Sequence, residues 1–540
     1  MSRGAADRRE KGFVRWPAWL LLSLLVGACV SVLLGQDANW DLRNYHLYNP
    51  FALLNGRFGV DLMPAGMQTN FNALLDLPYY LLARGPLAGL PRLMAAAAGL
   101  PFGLLLFATL GLARWVLQPA DAAGAALAVI AVAIGGTAAA TVSEIGTTFN
   151  DISCAVLLVG ALALGGPDCT ERRPGWRVAA AGAMAGAAVA LKLTNAVLAP
   201  GVLAGLLVAA PGWRVRWGVL WRFAVAAAAV GLALGGPLAL ALESRHGNPV
   251  FPLLNGLFRS PWYPPVDFYD TRFLPRSSLQ AWFYPFWWVR RNASLVTESG
   301  NPFRDARGAL AMLALPILAV GLVKADAARR RRVGALIVAT VVAYLGWLRV
   351  FSILRYAVAL DAFAAVLIVT AAGDLAALVS RRRVAAPVLA ALLLAGLLRH
   401  TQPPDWWRIP YGRRVWDIET VRLPPSSLVV AVNAPVALVI PFIDSPGFRA
   451  VGFSPTTVEA HGWRLYEETM RIIREHPGPV FALAPDYHSL PGVWPEAGVV
   501  FDTARCRPIH TNIVFNAAVE LCPGERISPG PPGSAPAAGR

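Results

Sequence analysis

About eleven apolar stretches, each near the length of a membrane-crossing helix, fill most of the chain before residue 400. A helix needs roughly 20 mainly apolar residues to cross about 30 Å of hydrocarbon. Hydrophobic residues make up 56% of the 540 residues and charged residues only 15%, unlike the composition of a soluble domain. These observations predict a polytopic membrane protein with spans near 16–35, 90–117, 122–142, 151–167, 177–196, 198–212, 218–242, 307–323, 333–349, 354–378 and 385–399.

Basic residues fall in alternate loops between these stretches, and this distribution predicts the orientation of the chain. Five basic residues precede the first span, and Arg-rich clusters recur at 329–332 and 381–383. Because cytoplasmic loops are rich in Lys and Arg, we expect a cytoplasmic N-terminus, as in a bacterial inner membrane protein. The extracytoplasmic parts are then the loops 36–89, 143–150, 243–306 and 350–353 and residues 400–540. The same loops account for the net charge of +16, so nucleic acid is not an expected partner.

The composition changes after residue 400, where short apolar runs at 427–433 and 479–486 flank an amphipathic stretch at 457–476. Such alternation is typical of a small α/β domain. The predicted fold class is therefore an all-α polytopic membrane protein of about 11 transmembrane helices with a small C-terminal extracytoplasmic α/β domain. The predicted domains are a transmembrane domain at 1–399 with outer loops 36–89 and 243–306, the α/β domain at 400–522, and a disordered tail at 523–540.

Five cysteines occur in the chain, and two of them, Cys506 and Cys522, lie in the C-terminal region. An oxidising outer compartment would allow these two to form a disulfide. A bridge closing a loop of about 15 residues stabilises a domain by roughly 3 kcal/mol.

Polar residues crowd into the loop that follows the first span. If residues 41–57 form a helix at the membrane surface, Asp41, Asn44, Tyr45 and Tyr48 share one face by the i, i+3, i+4, i+7 rule. A carboxylate here could act as a general base toward an acceptor hydroxyl or amine, or could fix a substrate by hydrogen bonds. The alternative for the two tyrosines is an interfacial helix that its aromatic rings anchor at headgroup level.

Two acidic residues, Glu144 and Asp151, lie at the turn between the third and fourth spans. They could bind a cation or the hydroxyl groups of a sugar. Asp151 could instead only cap the fourth helix, because Asp is a favoured N-cap residue. Glu144 could be a solvated surface group.

Cations at the outer ends of two spans suit a phosphate group. Lys192 lies among apolar residues beside Thr194 and Asn195, and Arg355 with Tyr356 opens a late span. The planar donor fork of Arg suits phosphate oxygens, and a position at headgroup level would let it meet a lipid phosphate. The alternatives are snorkelling for Lys192 and an ion pair with an intramembrane acid such as Asp361 for Arg355.

The long loop 243–306 is rich in aromatic residues, which could stack on sugar rings or lie in the membrane interface as a belt. Among its charged residues, Asp270 is a weaker candidate for contact with a substrate, together with Asp267 and Arg272. The seven histidines show no ligand spacing, so the sequence gives no reason to expect a zinc site.

These features together resemble the GT-C superfamily of polytopic glycosyltransferases, of the dolichyl-phosphate-mannose mannosyltransferase and lipid A aminoarabinose transferase type. The resemblance covers roughly residues 15–380. It rests on Asp41 and Tyr45 followed by Leu-Leu-Asn-Gly-Arg at 53–57, Pro-Tyr-Tyr-Leu-Leu at 78–82, Glu144 with Asp151, and Arg355-Tyr356. One departure is that Ala-Val-Ala follows Arg355-Tyr356, where the family commonly has a proline.

The resemblance implies a role for each matched residue. Asp41, or Asp37 in its stead, corresponds to the catalytic acid of the first outer loop. Glu144 and Asp151 correspond to an acidic pair near the donor, and Lys192 and Arg355 to phosphate contacts. It also implies inverting transfer from a polyprenyl-phosphate sugar, without an organic cofactor and with a divalent metal optional.

The sequence thus predicts a membrane glycosyltransferase of cell-envelope glycan or glycolipid synthesis, with a polyprenyl-phosphate sugar donor, membrane lipid around it and an unknown acceptor. One alternative is a transporter or flippase, although the middles of the spans are almost entirely Ala, Leu, Val and Gly. Another is a polysaccharide polymerase or ligase, which would share the lipid-linked donor but transfer a chain.

Overall fold

The computed structural model describes residues 3–169, 175–267, 270–290, 295–297, 302–380, 382–486, 488, 490, 493–513 and 518–527. The described residues form twenty α-helices and eleven β-strands. The helices are α1 Arg3–Leu34, α2 Tyr48–Leu54, α3 Leu77–Arg84, α4 Pro91–Ala98, α5 Leu100–Leu117, α6 Ala122–Gly136, α7 Ala139–Glu144, α8 Asp151–Cys169, α9 Trp176–Leu191, α10 Ala199–Ala209, α11 Trp213–His246, α12 Asn255–Phe258, α13 Ser278–Trp282, α14 Tyr284–Trp287, α15 Arg307–Val323, α16 Ala327–Val350, α17 Val358–Val379, α18 Ala385–His400, α19 Pro455–Glu459 and α20 Arg464–Glu475.

The strands are short and, apart from the first, lie in the C-terminal region. They are β1 Gln36–Asp37, β2 Arg408–Ile409, β3 Val421–Arg422, β4 Leu428–Val432, β5 Ile443–Asp444, β6 Arg449–Phe453, β7 Val480–Ala484, β8 Val493–Trp494, β9 Val499–Phe501, β10 Arg507–Ile509 and β11 Val519–Arg526.

Six helical segments are long and apolar enough to cross a membrane: Trp16–Leu34, Pro91–Leu117, Asp151–Cys169, Trp213–His246, Ala327–Val350 and Leu354–Val379. Five shorter apolar segments lie at Ala122–Gly136, Trp176–Leu191, Leu193–Ala209, Arg307–Val323 and Ala385–His400. Together they coincide with the predicted spans. The predicted fold class, a polytopic helical membrane protein with a small C-terminal α/β domain, is confirmed.

The chain divides into two compact units whose bounds differ from the predicted domains. The first unit comprises Met1–Leu34, Ala95–Gly235 and Tyr269–Trp406, and the second comprises Gly35–Met94, Gly236–Phe268 and Trp407–Arg540. The second unit therefore contains the whole of the first outer loop, 36–89, as well as the C-terminal region. The prediction from composition assigned this loop to the membrane domain. Composition could not show otherwise, because the loop groups with residues that lie far along the chain.

Small residues allow the helices of the first unit to pack closely. Gly182 and Gly186, one turn apart on α9, face the backbone of Phe223 and Ala227 on α11. A side chain at Gly186 would put its Cβ 2.7 Å from the Cα of Ala227, well inside van der Waals contact. Small residues spaced by four are a common way for membrane helices to approach each other.

The second unit is built on a seven-stranded sheet with the order β6-β4-β7-β11-β9-β8, in which β10 pairs with β11. Strands β4, β6 and β7 are parallel, and β11 runs antiparallel to β7. Alternate residues of β4 point to opposite faces, as the period of two in a strand requires. Val430 belongs to the same buried cluster as Leu465 and Ile473 of α20, and Val429 belongs to a second cluster with Leu438.

The first outer loop completes this second hydrophobic core. Leu42, Tyr45 and Tyr48 belong to the same cluster of buried side chains as Val429 of β4. Leu62 extends the sheet beyond β6, because its amide donates to Ala450 at 3.0 Å and its carbonyl accepts from Gly452 at 2.8 Å. An edge strand is thereby covered by the loop.

Two features at the end of the chain bear on the predictions. The structure joins Cys506 and Cys522 in a disulfide, as the sequence allowed. Strand β11 continues to Arg526 and pairs there with β9, so the sheet extends past Pro523, where the tail was predicted to begin. The rest of the predicted tail, from residue 528, lies outside the described residues.

The close approach of α9 and α11 gives a stability prediction. Gly186→Ala should destabilise the protein by roughly 1–3 kcal/mol, because the new methyl group overlaps the backbone of α11. Gly396→Ala on α18 is the matched control, since nothing lies within 4 Å of a Cβ there. Thermal unfolding of the purified variants in detergent measures both. An unchanged Tm for Gly186→Ala would contradict the packing described.

Candidate functional site

Three charged side chains from distant parts of the first unit meet at the start of α8. The Lys192 Nζ lies 2.5 Å from one carboxylate oxygen of Asp151, and the Arg355 guanidinium lies 3.8 Å from the other. All three are largely buried, with side-chain exposures of 5% for Asp151, 15% for Lys192 and 8% for Arg355. The structure thus brings together residues that the sequence proposed separately as acid and phosphate contacts.

A break in the fifth apolar segment positions Lys192. Helix α9 ends at Leu191, and Lys192 has an extended backbone with φ −147° and ψ 106°. Asn195 stabilises the break, because its Nδ2 donates to the carbonyls of Lys192 at 2.9 Å and Ala188 at 3.3 Å. The Lys192 ammonium group also donates to the carbonyl of Phe149 at 2.9 Å, which fixes its position beside Asp151.

Aromatic rings surround the two cations. The Arg355 guanidinium lies 4.8 Å from the ring centre of Phe149 and 4.9 Å from that of Tyr356. The Lys192 ammonium lies 5.1 Å from the ring centre of Tyr356. Cations over aromatic faces within about 6 Å are attracted by the ring quadrupole. Tyr356 therefore contacts both cations, as expected for a residue of the same site.

Glu144 is the last residue of α7 and is only 2% exposed. Helix α7 packs against the turn Leu354–Ala357, which carries Arg355. The alternative of a solvated surface group for Glu144 is therefore wrong. Asp151 is the first residue of α8 but also bonds to Lys192, so helix capping alone does not account for it.

In the second unit, Asp37 and Asp41 have different surroundings. The Asp37 carboxylate accepts from the backbone amide of Asn39 at 3.1 Å and from its Nδ2 at 2.8 Å. Asn39 in turn accepts from the amide of Leu42 at 2.8 Å, which orders the start of the next helical turn. Asp41 accepts from the hydroxyl of Tyr45 at 3.0 Å.

The segment that carries Asp41 differs from the expected surface helix. It forms a π-helical turn, Leu42–His46, followed by α2. Asp41, Asn44, Tyr45 and Tyr48 are all at least nine-tenths buried, so the alternative of an exposed aromatic anchor is wrong for both tyrosines. Asn44 donates to the carbonyl of Ala65 at 3.2 Å. Single π-helical turns are rare and occur often at functional sites.

Sequence reasoning missed several buried polar residues. Asp61 accepts from the Tyr48 hydroxyl at 2.9 Å, from Arg57 at 2.6 Å and from the amide of Ala450 at 2.8 Å. Burial and the charge of Asp61 raise the pKa of Tyr48 well above its usual value. The spacing of four between Arg57 and Asp61 could have indicated their ion pair.

Two further pairs, His46 with Asp76 at 2.6 Å and Asp305 with Arg307 at 3.0 Å, were also missed. Arg307 additionally donates to the carbonyl of Ile134 and to the hydroxyls of Thr137 and Thr401. Its partners are spread over more than 260 residues of sequence, so no local pattern indicates them.

Asp270 does not join the Asp151 group in the described contacts. It pairs with Arg272 at 2.5 Å, and this arginine side chain is 73% exposed. Burial acts to raise the pKa of Asp270, but the hydrogen bonds and charge of Arg272 outweigh it and lower the pKa below the usual value. This is a local surface pair.

Among the described residues, one group of three potential metal ligands is close enough to hold an ion: Cys506, Glu520 and Cys522. Its two sulfur atoms are already joined in the disulfide, so they are not available as thiolate ligands.

No protein-family model and no curated protein matches the sequence. The fold is similar to three solved structures at low identity. The first is ArnT from Cupriavidus metallidurans bound to undecaprenyl phosphate, with a TM-score of 0.49, 13% identity, and 96% of this chain and 99% of that chain covered.

The other two are structures of the Archaeoglobus fulgidus oligosaccharyltransferase. The complex with Zn and sulfate has a TM-score of 0.40 and 14% identity, over 85% of this chain and 68% of that one. The apo form has a TM-score of 0.42 and 13% identity, over 87% and 70%. All three similarities are similarities of fold.

The ion pair at the start of α8 gives a second prediction. Lys192→Met and Asp151→Asn should each destabilise the protein by about 3 kcal/mol, because the first takes from the buried Asp151 its nearer cation and the second takes from the buried Lys192 its carboxylate partner. The double variant should lose less than the sum of the two, with a coupling of roughly 0.5–3 kcal/mol. Reversible unfolding in detergent measures the cycle.

The exposed pair of Asp270 and Arg272 provides the control, and its cycle should give a coupling below about 1 kcal/mol. A coupling at Asp151 and Lys192 no larger than at this surface pair would contradict the proposed strength of the buried contact.

Proposed function

We propose that this protein is an integral membrane glycosyltransferase that transfers a sugar from a polyprenyl-phosphate-linked donor to an acceptor at the extracytoplasmic face. The observation that carries the proposal is the meeting of Lys192, Arg355 and Asp151 at the ends of apolar helices. A membrane protein seldom buries such a group unless function requires it.

The group has the chemistry of a binding site for a lipid-linked phosphate. Arg355 offers a planar fork of donors to phosphate oxygens, and Lys192 offers a compact positive charge. Asp151 opens the 19-residue helix α8, whose N-terminal amides favour an anion. In the free protein the Asp151 carboxylate engages both cations and so keeps them in place until a phosphate arrives.

In the reaction, these cations stabilise the charge that develops on the leaving phosphate. The bond between the anomeric carbon and the phosphate oxygen breaks, and its electron pair goes to the phosphate. Lys192 and Arg355 stabilise the negative charge that develops there, which is the form of electrostatic catalysis that preformed charges supply. The acceptor oxygen or nitrogen bonds to the anomeric carbon from the opposite face, so the configuration inverts.

Asp41 is the proposed general base, which takes the proton from the acceptor as the new bond forms. Asp37 is the weaker of the two acids for this role, because its carboxylate is engaged in ordering the turn through Asn39. The Tyr45 hydroxyl donates a hydrogen bond to the Asp41 carboxylate. We place the protein in a bacterial-type inner membrane, with the N-terminus cytoplasmic, and the C-terminal domain periplasmic.

A transfer assay with Asp41 variants tests this proposal. Purified protein in lipid is incubated with a panel of radiolabelled polyprenyl-phosphate sugars and a membrane extract as the source of acceptor. Asp41→Asn should lower kcat by about 10²–10⁴-fold, the usual contribution of a general base. The protein should still fold, because the Asn oxygen can accept the hydrogen bond of Tyr45.

Tyr45→Phe is the matched control. It removes the hydrogen bond between Tyr45 and Asp41, which Asp41→Asn keeps, but it leaves the carboxylate in place and should therefore retain most of the activity. If Asp41→Asn transfers sugar at the wild-type rate, Asp41 is not the general base. If no lipid-linked sugar is consumed by the wild-type protein, a carrier or flippase becomes the better account.

A further inference from the structure

A narrow groove in the first unit is lined by one face each of α15, α16 and α17. On the α17 side its lining runs from Leu354 through Ala357, Leu360 and Ala364 to Leu367. These positions recur every three or four residues, so they form one stripe of the helix. With a rise of 1.5 Å per residue, the stripe extends roughly 20 Å along the helix. The groove therefore has the length and lining to take a hydrocarbon chain.

One end of the groove is not apolar. Trp288 and Tyr344 line it, and so do the acidic residues Asp305 and Asp361. Asp305 is bound to Arg307 at 3.0 Å, and Asp361 accepts from the hydroxyl of Thr141 at 3.1 Å. The far end, around Leu315 and Leu367, is mainly aliphatic, and the hydroxyl of Thr340 in the lining donates to the carbonyl of Leu336 within its own helix. A molecule that fits this groove has a polar head and an apolar chain.

Four aromatic residues with polar atoms cluster at the polar end. Two of them have hydrogen-bond partners within the described part of the chain and two do not: the first two are Trp347 and Tyr284, and the other two are Trp288 and Tyr344. The Trp347 Nε1 donates to the carbonyl of Ile353 at 2.7 Å, and the Tyr284 hydroxyl donates to that of Phe273 at 2.6 Å. The Trp288 Nε1 and the Tyr344 hydroxyl are buried and have no hydrogen-bond partner among the residues that the structure describes. Trp288 is 7% exposed, and both of these residues line the groove.

Buried donors without acceptors are unfavourable, and native proteins rarely keep them without a reason. A molecule seated at this end of the groove would bring an acceptor oxygen to the two residues that line it. A polyprenyl chain has no such oxygen along its hydrocarbon. The ester carbonyls of an acyl lipid lie next to the chains and are hydrogen-bond acceptors only, which matches a pair of donors.

We propose that this groove binds an ester-linked acyl lipid, with a chain along α17 and an ester carbonyl accepting from Trp288 and Tyr344. This site is additional to the lipid-phosphate site at Lys192 and Arg355. It does not depend on the transfer reaction, and its test measures binding alone.

Photocrosslinking to the full-length protein in nanodiscs tests the proposal. Three probes carry a diazirine on the hydrocarbon: a diester phosphatidylglycerol, its dialkyl ether analogue, and a polyprenyl phosphate. The crosslinked peptides are mapped by mass spectrometry. The diester should label α15 and α17 peptides several-fold more than the ether analogue does, because only the diester has carbonyl acceptors.

Two sets of variants make the result specific. Tyr344→Phe removes only the hydroxyl, and Trp288→Phe, where it folds, removes the indole N–H together with part of the ring; each should make diester and ether labelling equal. Ala364→Phe should fill the groove and lower all labelling there, whereas Leu375→Phe, at an exposed position of the same helix, should not. Tyr344→Phe should also keep or raise the Tm, because the removed hydroxyl has no partner.

Equal labelling by diester and ether in the wild-type protein would overturn the proposal. Preferential labelling of the groove by the polyprenyl phosphate would do the same and would assign the groove to that lipid. Labelling of the groove by none of the probes above the level of the Ala364→Phe variant would also overturn it.

Discussion

A charged side chain within a bundle of apolar helices is stable only beside a group that compensates its charge. The first unit obeys this constraint at three described ion pairs: Asp151 with Lys192, Asp305 with Arg307, and Arg329 with Asp374. Each pair joins or anchors helices that would otherwise be held by small apolar contacts alone. The pairs therefore fix the arrangement of helices, and one of them also supplies the phosphate-binding candidates.

The Asp151 group differs from the other pairs in composition. Two cations face one carboxylate, and aromatic rings enclose both cations. In the proposed function, an incoming phosphate takes the place of the Asp151 carboxylate beside the two cations, and Asn195 maintains the helix break that positions Lys192.

The sequence predicted the membrane spans well, because hydropathy over a window of helix length depends only on local composition. It also selected Asp151, Lys192, Arg355 and Tyr356 individually, since polar residues at the ends of apolar stretches stand out. Their mutual contact could not be derived, because it depends on how three helices pack. The burial of Tyr45 and Tyr48 was missed for a related reason: the core that covers them is formed by strands near residue 430.

The domain bounds show the same limit. In the sequence, the first outer loop lies between two membrane spans and was assigned to the membrane domain. In the structure, Leu62 pairs with β6, and the Asp61 carboxylate accepts a hydrogen bond from the amide of Ala450. A single residue such as Leu62 that pairs with a distant strand leaves no alternation of apolar and polar residues in its own segment. The groove along α17 was likewise invisible, because its lining residues look like any other apolar face of a membrane helix.

The central claim is that Lys192 and Arg355 bind the phosphate of a polyprenyl lipid. The most direct measurement is the affinity of the purified protein in nanodiscs for polyprenyl phosphate and for the matching polyprenol, which lacks the phosphate. The account predicts binding that requires the phosphate, and a roughly tenfold or greater loss of affinity in Arg355→Lys, which keeps the charge but loses the donor fork. Arg383→Lys, at an exposed position, should bind as the wild-type protein does. Equal affinity for the polyprenol, or unchanged affinity in Arg355→Lys, would contradict the account.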